Sequence, residues 1–203
     1  MKTLKFYSTS INDRYLDEVV ATLQRGGIVL CPTDTLYALT CDALNQGAIE
    51  RLCAMKGINP SKQSLSVICD GISQASEYAR IDNNAFRQLR DHTPGAYTFV
   101  LPAATVLPKA FKGRHTVGVR IPDNPIARAI ATRMGRPVLT TSIPSDGLSD
   151  EEITMPEDIA LRYENSQVDM MADGGVGGTV PSTIVDLTDS SDPVILRQGM
   201  AEF

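Results

Sequence analysis

Apolar residues recur every three or four positions in several segments of the first half of the chain, and short apolar runs separate these segments. The spacing predicts helices over 11–23, 45–55, 73–78 and 83–91, and the runs predict an edge strand over 4–7 and further strands over 28–31 and 65–69. Ser10 or Asn12 is the expected cap of the first helix, which Gly26 and Gly27 end. The alternation of strand and helix favours an α/β fold.

The second half of the chain continues with strands, turns and one well-bounded helix. Strands are predicted over 97–101, 116–122, 138–142, 168–172, 182–187 and 194–197, and a helix over 125–134 begins at Pro125. The segment 143–158 is rich in proline, serine and acidic residues, so a mobile loop before a short helix is expected there. No internal repeat or linker stands out, and residues 1–203 are predicted to form a single domain with a twisted, mixed sheet and flanking helices.

The segment that follows the strand at 28–31 changes from apolar to polar within a few residues. Pro32 cannot donate a hydrogen bond to a central strand pair, so the strand is expected to end there. Thr33, Asp34 and Thr35 come next, and this edge of an open α/β sheet is where ligands bind. The alternative is a strand-to-helix turn in which these side chains cap a helix, and the local pattern leaves both interpretations open.

The composition excludes several classes of protein. With 203 residues and 42% hydrophobic content, the chain is long enough for one sizeable core. No apolar run approaches the ~20 residues that cross a bilayer, and the amino terminus lacks the apolar region of a secretory signal. The cysteines, Cys31, Cys41, Cys53 and Cys69, show no Cys-x-x-Cys spacing and are expected to be buried free thiols. A cytoplasmic protein without a membrane partner is therefore expected.

Charge is distributed unevenly along the chain, although the net charge is −5. Residues 51–136 contain 13 Lys or Arg against 5 Asp or Glu, whereas residues 137–203 contain 2 against 13. A chain sorted in this way can present a positively charged cleft while it remains acidic overall. Folding can also interleave the two segments into a solvated mixture of charges, in which case no cleft results.

Hydroxyl and cationic side chains lie near the ends of several predicted strands. They are Thr33, Thr35, Thr116, Arg120, Thr140, Thr141, Ser142, Ser182, Thr183 and Arg197, with Lys56 at the end of a helix. Such a set suits an anion, because Arg grips a carboxylate or phosphate with two parallel bonds and Lys adds a point charge. A single threonine in a strand needs no functional explanation, since threonine favours strands. Arg120 is different, because it shares a strand face with Thr116 and Gly118 in an otherwise apolar strand, which favours ligand binding.

Other chemical motifs are absent from the sequence. The glycine turn at 173–178 lacks the Gly-Lys-Ser/Thr of a P-loop, and a permissive turn explains it better. His92 and His115 are far apart in the sequence, which gives little support to a metal site or a Ser-His-Asp triad. No metal ligands are therefore predicted.

Ordered motifs across almost the whole chain resemble the YrdC/YciO family. They are Gly26-Gly27 followed by Pro32-Thr33-Asp34-Thr35, then Lys56, Thr93-Pro94-Gly95 with Tyr97-Thr98, Thr116 through Pro122, Thr141-Ser142, Pro181-Ser182-Thr183 through Asp186, and Arg197-Gln198-Gly199. The resemblance implies a YrdC/RibB-like twisted α/β sheet with a large, positively charged concave cavity. It also implies a nucleotidyltransferase that joins threonine, bicarbonate and ATP into threonylcarbamoyl-AMP, with release of pyrophosphate, for the modification of tRNA.

The resemblance also assigns roles by matched position. The threonine would be held by Thr35, Arg120 and Ser182. The nucleotide would be held by Lys56, Thr116, Ser142 and Arg197, and Lys56 and Arg120 would be the catalytic cations. Magnesium would arrive with the ATP triphosphate rather than in a site of its own. Such a reaction asks the protein mainly for positioning and for positive charge near the phosphates.

Three positions depart from the family pattern. The family's Lys-x-Arg is Lys56-Gly57-Ile58 here, and its Ser-x-Asn is Ser142-Ile143-Pro144. Where synthases commonly place a histidine after the next strand, this chain has Ile68-Cys69. Lys62 is a candidate replacement for the lost charge. These substitutions place the chain nearer to the YciO branch than to the synthases. A second hypothesis therefore stays open, a noncatalytic protein that binds double-stranded RNA, tRNA or the ribosome through the same positive cavity.

Overall fold

One mixed, twisted sheet of ten strands crosses the part of the chain that the computed structural model describes, residues 1–60, 62–113 and 115–203. The strands are β1 (Lys2–Lys5), β2 (Val29–Cys31), β3 (Ala38–Asp42), β4 (Ser66–Ile68), β5 (Tyr97–Pro102), β6 (Thr116–Arg120), β7 (Val138–Ser142), β8 (Met170–Asp173), β9 (Thr183–Asp186) and β10 (Val194–Arg197). Their order across the sheet is β1-β8-β2-β3-β7-β4-β6-β5-β9-β10.

Helices flank the sheet, and their ends follow local chemistry. They are α1 (Asp13–Gln24), α2 (Gln46–Lys56), α3 (Ile72–Tyr78), α4 (Asn83–His92), α5 (Pro125–Met134), α6 (Asp150–Thr154) and α7 (Pro156–Arg162), with a 3₁₀ helix at Lys109–Phe111. Asn12 caps α1 by accepting a hydrogen bond from the backbone N–H of Tyr15, which decides between the two predicted caps. Gly57 and Gly135 end α2 and α5 in the left-handed conformation that glycine adopts without strain.

The sheet combines parallel and antiparallel neighbours. β8 lies parallel to both β1 and β2, β4 is parallel to β6, and β5 is parallel to β9. The remaining neighbours are antiparallel. The predicted α/β fold with a mixed sheet is therefore confirmed, and side chains from the beginning of one strand can meet side chains from the end of its neighbour.

Two hydrophobic clusters cover the two faces of the sheet. Successive residues of β2 alternate between them, with Val29 and Cys31 in one cluster and Leu30 in the other. Residues of α1 and α5 complete the cluster that contains Val29, and residues of α2, α3 and α4 contribute to the cluster that contains Leu30. The helices thus fix the sheet from both sides, which makes its central strands a rigid support for a site.

The largest departure from the predicted elements follows the segment Thr33–Thr35. A strand, β3, begins at Ala38 and pairs antiparallel with β2, so the interpretation of this segment as a strand-to-helix turn is wrong. All five residues of β3 are buried, including Thr40 and Asp42. Because both faces of β3 are buried, its sequence lacks the alternation of polar and apolar residues that would predict a strand.

The segment 143–158 is more regular than expected. The expected loop is confined to residues 143–149, and two helices follow it rather than one, because the segment also contains all of α6 and the start of α7. Ser149 caps α6 in a capping box with Glu152, and Pro156 occupies the first turn of α7, where its missing N–H is tolerated. The acid-rich composition that suggested a loop thus belongs to the first turns of two helices, where acidic side chains are favourable.

Other elements differ from the prediction only at their ends. β1 lies at an edge of the sheet as expected, but it spans Lys2–Lys5 rather than 4–7, and Tyr7 beyond it is 64% exposed. α5 and β7 have the predicted bounds.

The four cysteines are buried and carry free thiols, as predicted. No helix in the described ranges has the length and apolar character that crossing a bilayer requires.

Candidate functional site

A hollow of about 150 Å³ opens on strands from the middle of the sheet, and we call it the polar hollow. Its polar lining residues are Ser64, Ser66, Thr98, Arg120, Thr140, Thr141, Ser142, Ser182 and Arg197, and its apolar ones are Leu52, Ile58, Leu65, Leu139 and Ile184. Among the described residues, no acidic side chain lines it. Hydroxyl and guanidinium donors without a lining carboxylate suit an anionic ligand.

Arg120, the last residue of β6, anchors one end of the polar hollow. It is only 5% exposed, and its Nη2 donates to Oδ1 of Asp34 at 2.7 Å and to Oγ1 of Thr35 at 3.2 Å. The other carboxylate oxygen of Asp34 accepts from the backbone N–H of Asp123 at 3.0 Å. The polar segment after β2 therefore orients the guanidinium.

The glycine turn at 173–178 packs against this polar segment. The N–H of Gly178 donates to the carbonyl of Thr35 at 2.8 Å, and a Cβ on Gly178 would lie only 2.8 Å from that oxygen. The hydroxyl of buried Tyr37 donates to a carbonyl of the same turn at 2.7 Å and accepts from one of its N–H groups at 3.0 Å. The turn is thus more than a permissive connection, because its close backbone approach fixes the position of Thr35.

Two buried polar atoms of residues that line the polar hollow have no hydrogen-bond partner among the described residues. They are Nε of Arg120 and Oγ1 of Thr140. Burial lowers the pKa of Arg120, the carboxylate of Asp34 opposes this shift, and the positive charge of Arg197 adds to it. A buried polar group without a partner costs about 1–3 kcal/mol, which a bound anion would offset by accepting from the guanidinium.

Ser182 and Arg197 lie at the same end of the polar hollow as Arg120. The hydroxyls of Thr98 and Ser182 are 2.8 Å apart and share a buried hydrogen bond. Arg197 donates to the carbonyl of Ser182 from Nε at 3.2 Å and from Nη2 at 2.7 Å. Partial burial lowers the pKa of Arg197. Two guanidinium groups from distant parts of the sequence therefore converge on one hollow.

The polar hollow extends along the strands rather than gathering at their ends. Ile68 of β4 pairs with Arg120 on one side and with Val138 on the other. Ser142 follows Val138 by four residues, so Arg120 and Ser142 are about 13 Å apart along the strands, at about 3.3 Å per residue. The expectation of a site at the carboxyl edge is wrong in this respect, because β6 and β7 run in opposite directions in a mixed sheet.

Hydroxyl groups line the second end of the polar hollow, near Ser142. The Oγ1 of Thr116 and the Oγ of Ser64 lie 2.9 Å apart. Between the two ends, Ser66 pairs with Gly118, and a Cβ on Gly118 would lie 2.5 Å from the Ser66 hydroxyl. The missing side chain at this position keeps the two ends of the polar hollow connected.

Lys56 and Arg162 lie beside the second end. Lys56 is the last residue of α2 and does not line the polar hollow, whereas Ile58, just after it, does. Arg162 donates from Nη1 and Nη2 to the carbonyl of Pro144, both at 3.1 Å. Burial lowers the pKa of Lys56, the charge of Arg162 lowers it further, and Asp146 opposes both. The two cations therefore flank the loop that follows β7.

Most of the predicted ligand-binding residues meet in one place. Arg120, Ser142, Ser182 and Arg197 line the polar hollow, Thr35 and Thr116 are each one hydrogen bond from a lining side chain, and Lys56 lies outside its wall. Lys62, the candidate replacement cation, does not line it. The roles of these residues in binding and catalysis stay predictions.

Sequence reasoning missed Ser64, Ser66 and Arg162 as residues of this site. Ser64 and Ser66 flank Leu65, so the alternation of a strand would have placed their side chains on one face. Arg162 has no local signal, because it reaches the site through a carbonyl 18 positions away in the sequence.

Comparisons with known sequences identify relatives along nearly the whole chain. The Sua5/YciO/YrdC family model, described as telomere recombination, matches residues 21–199. The uncharacterized protein YciO of Escherichia coli K12 is 37% identical over 191 residues, which cover 93% of this chain and 91% of that protein. The threonylcarbamoyl-AMP synthase of Pseudoalteromonas translucida is 33% identical over 172 residues, which cover 82% of this chain and 90% of the synthase.

Solved structures show the same fold. The crystal structure of E. coli YciO superposes with a TM-score of 0.90 at 35% identity, and the match covers 100% of this chain and 98% of that one. The crystal structure of P. abyssi Sua5 complexed with L-threonine superposes with a TM-score of 0.84 at 28% identity, and the match covers 98% of this chain and 58% of that one. The family resemblance and the twisted α/β fold expected from the sequence are therefore confirmed.

Proposed function

Because the chain belongs to the Sua5/YciO/YrdC family, we propose that it is a nucleotidyltransferase that binds ATP and threonine in the polar hollow. Its product is threonylcarbamoyl-AMP, formed from threonine, bicarbonate and ATP with release of pyrophosphate, and the product serves the modification of tRNA. One observation supports this proposal most. Arg120, Ser182 and Arg197 converge on a hollow with no acidic lining residue in the described ranges, and Nε of Arg120 has no partner there.

In this proposal, threonine binds at the Arg120 end. Its carboxylate accepts hydrogen bonds from Arg120, whose orientation Asp34 already fixes, and its hydroxyl contacts Thr35 or Ser182. The size of the polar hollow, about 150 Å³, suits an amino acid, since pockets for drug-sized ligands measure about 300–1,000 Å³. ATP is larger than the polar hollow, so part of the nucleotide must lie outside it, on the side that opens to solvent.

The nucleotide extends from there towards Ser142. The hydroxyls of Thr116 and Ser142 donate to phosphate oxygens, and Lys56 and Arg162 supply positive charge beside the triphosphate. Arg197 lies at the Arg120 end, where it contacts the Ser182 carbonyl. We therefore assign Arg197 to the α-phosphate, which must lie between the two substrates, rather than to the far end of the triphosphate.

The reaction depends on positioning more than on acid–base groups. The threonine amine combines with bicarbonate to give a carbamate and water, and a carbamate oxygen then attacks the α-phosphorus of ATP. The bond from that phosphorus to the bridging oxygen breaks, and pyrophosphate leaves with the electron pair. Arg120 holds the attacking molecule in place, and Lys56 stabilises the negative charge that develops on the leaving group.

Magnesium enters this proposal as part of the ATP complex. In the described part of the chain, no group of three or more His, Cys, Asp or Glu side chains could hold a metal ion. The carboxylate of Asp34, which lies near the polar hollow, already accepts from Arg120 and from the N–H of Asp123. Phosphate oxygens and water would supply the magnesium ligands, as is common for this ion.

Two substitutions predict a weaker nucleotide site than in relatives that keep the complete motifs. Ile58 lines the polar hollow where the family has an arginine, and Pro144 has no side-chain amide. A lost contact to a charged group costs about 1.5–3 kcal/mol, or one to two orders of magnitude in affinity. In this proposal Arg162, whose guanidinium donates to the carbonyl of Pro144 beside the polar hollow, supplies part of the missing charge.

Product formation tests the proposal. The protein is incubated with ATP, magnesium, bicarbonate and isotopically labelled threonine. Mass spectrometry should detect labelled threonylcarbamoyl-AMP, and pyrophosphate should be released only when ATP, bicarbonate and threonine are all present. Arg120→Gln should lower the rate about 100-fold, because the threonine loses its anchor. Arg162→Ala should weaken ATP binding while threonine affinity, measured by calorimetry, stays unchanged.

The control is Arg87→Gln, which removes an exposed guanidinium from α4 and should leave the rate unaltered. If neither ATP nor threonine binds at millimolar concentration, the proposal is wrong. Binding of tRNA that weakens steeply with salt, survives Arg120→Gln and occurs without product would instead favour the noncatalytic RNA-binding alternative.

A further inference from the structure

A second cavity, of about 460 Å³, lies beyond the start of β6 and shares no lining residue with the polar hollow. Pro102–Ala104, Leu107 and Phe111 supply its apolar floor, and Arg80, Lys112 and His115 stand at its rim. We call it the cationic-rim cavity. Its volume falls within the range of about 300–1,000 Å³ that is typical of small-molecule sites.

The floor and one wall of the cationic-rim cavity are fixed by the surrounding fold. Leu107 and Phe111 are each 3% exposed and belong to the larger hydrophobic cluster. The N–H of Ala103 donates to the carbonyl of His115 at 2.8 Å, and the N–H of Arg80 donates to the carbonyl of Pro102 at 2.8 Å. A ligand would therefore meet a preformed surface, which lowers the entropic cost of binding.

Arg80 and Lys112 give the rim positive charge, and neither forms an ion pair with a described residue. The side chains of Arg80, Lys112 and His115 are exposed, and none of them forms a hydrogen bond or an ion pair with another described residue. No Asp or Glu in the described ranges lines the cavity. An apolar floor below an uncompensated cationic rim is complementary to a molecule with an apolar body and an anionic head.

The backbone of His115 supports a functional interpretation of this cavity. Its φ is 55°, in the left-handed region that residues other than glycine seldom adopt. Such a conformation costs about 1–3 kcal/mol, persists only where the surrounding structure enforces it, and occurs often at ligand sites. The His115 carbonyl accepts a hydrogen bond from the N–H of Ala103, and His115 lines the cationic-rim cavity.

We propose that the cationic-rim cavity binds a small amphipathic anion, with an aromatic or acyl body on the apolar floor and a single carboxylate, phosphate or sulfonate between Arg80 and Lys112. This second site is independent of the polar hollow and of the function proposed for it. Two cations and an imidazole donor around one anionic group fix the orientation of the ligand, and the floor supplies most of the buried area.

Two fluorescent probes with the same aromatic body test this proposal. Anilinonaphthalene sulfonate carries an anionic group, and phenylnaphthylamine is its uncharged counterpart. Arg80→Gln and Lys112→Gln should each weaken binding of the sulfonate probe about fivefold to tenfold and leave the uncharged probe unaffected. Ala104→Phe, which fills the cavity, should weaken both probes, and saturating ATP should displace neither.

The matched control is Arg14→Gln, because Arg14 is an exposed cation on α1 away from both cavities. It should leave the affinity of both probes unchanged. The proposal is overturned if the double variant Arg80→Gln, Lys112→Gln binds the sulfonate probe as tightly as the unaltered protein. It is also overturned if ATP competes with the probe, since that result would locate the probe in the polar hollow.

Discussion

Arg120 is a buried guanidinium held by one carboxylate, and this makes it a structural residue as well as a candidate ligand. The side chains of Arg120 and Asp34 are 5% and 9% exposed. Removing one member of a buried ion pair leaves the other charge without compensation, whereas replacing both by apolar side chains is often close to neutral. The stability effect of a change at Arg120 therefore depends on what occupies position 34.

This dependence predicts the result of a double-mutant cycle. Arg120→Met should lower the free energy of unfolding by about 3–5 kcal/mol, because Asp34 is left buried and uncompensated. Adding Asp34→Leu should restore most of that loss. Urea denaturation of the two single variants, the double variant and the unaltered protein measures the cycle, and a double variant no more stable than Arg120→Met would contradict it.

The buried thiols predict how stability depends on pH. Burial raises the pKa of Cys31 to about 12, and it also raises the pKa of Cys41 and Cys69. Below about pH 8 the thiols are protonated in both states and contribute nothing to the pH dependence. Above that pH the unfolded chain ionises while the folded chain keeps its protons, so the free energy of unfolding falls as the pH rises, until the folded thiols ionise too.

We therefore expect the urea midpoint to fall between about pH 8 and pH 10, with each thiol contributing up to about 1.4 kcal/mol per pH unit. Cys31→Ala should make this decline shallower, whatever its effect on stability at neutral pH. Ellman's reagent gives an independent measurement, because it should react with these thiols only after the protein opens. Rapid reaction in the native state would show that the thiols are not protected.

At the scale of single residues, the sequence predicts the chemical role of a side chain better than it predicts which residues that side chain contacts. Arg120 could be singled out because charged side chains are seldom placed in apolar strands. Thr140 could not, because threonine in a strand is ordinary. The bond between Ser64 and Thr116 depends on the register of β4 against β6, which no local pattern determines.

Among the elements, the glycine turn at 173–178 shows how a connection can position a site. Gly178→Ala should lower the free energy of unfolding by about 1–3 kcal/mol, because its Cβ would lie 2.8 Å from the Thr35 carbonyl. Gly47→Ala in α2 is the matched control, since the nearest atom to its Cβ is the Asn45 side-chain oxygen at 3.6 Å. The helix should gain about 0.5–1 kcal/mol from this change.

Thermal or urea unfolding compares the two alanine variants directly. Threonine binding adds a functional measurement, because Gly178→Ala displaces Thr35 while Gly47→Ala leaves the polar hollow intact. Equal stability of the two variants would show that the backbone approach at Gly178 is not tight.

A helix or strand can be predicted from the sequence when its own residues determine it, and not when contacts with distant strands do. α5 could be bounded from the sequence because Pro125 and Gly135 mark its ends. β3 could not be identified, because its stability comes from pairing with β2 and β7 rather than from its own pattern. The sequence contains the capping-box pattern of α6 at Ser149 and Glu152, but the proline-rich and acidic composition of the segment favours a loop instead.

On the scale of the whole molecule, the strand order predicts a gradient of local stability. β10 lies at one edge of the sheet, and all four of its residues are exposed, although the guanidinium of Arg197 reaches the polar hollow. All five residues of β3 in the interior are buried. Hydrogen exchange followed by mass spectrometry should show β10 exchanging first and β3 among the last strands. Equal protection of both strands would indicate that an additional partner covers β10 in solution.

The fold determines which of the unevenly distributed charges form ion pairs. Arginines of the basic segment 51–136 pair with acids of the first 50 residues, as Arg120 with Asp34, Arg133 with Asp13 and Asp17, and Arg136 with Asp42. The sequence shows the excess of each sign but not these partners, because the pairing is set by the packing of α1 on α5 and by strand neighbours.

The pairing of β1 with β8 has a consequence for synthesis of the chain. Lys2 pairs with Met170, so β1 leaves the ribosome long before its neighbour β8 has been synthesised. Contacts between such distant segments form slowly, and an unpaired strand is prone to associate with other chains in the meantime. β1 is short and has a lysine at each end, and both features reduce its association with other chains until β8 is available.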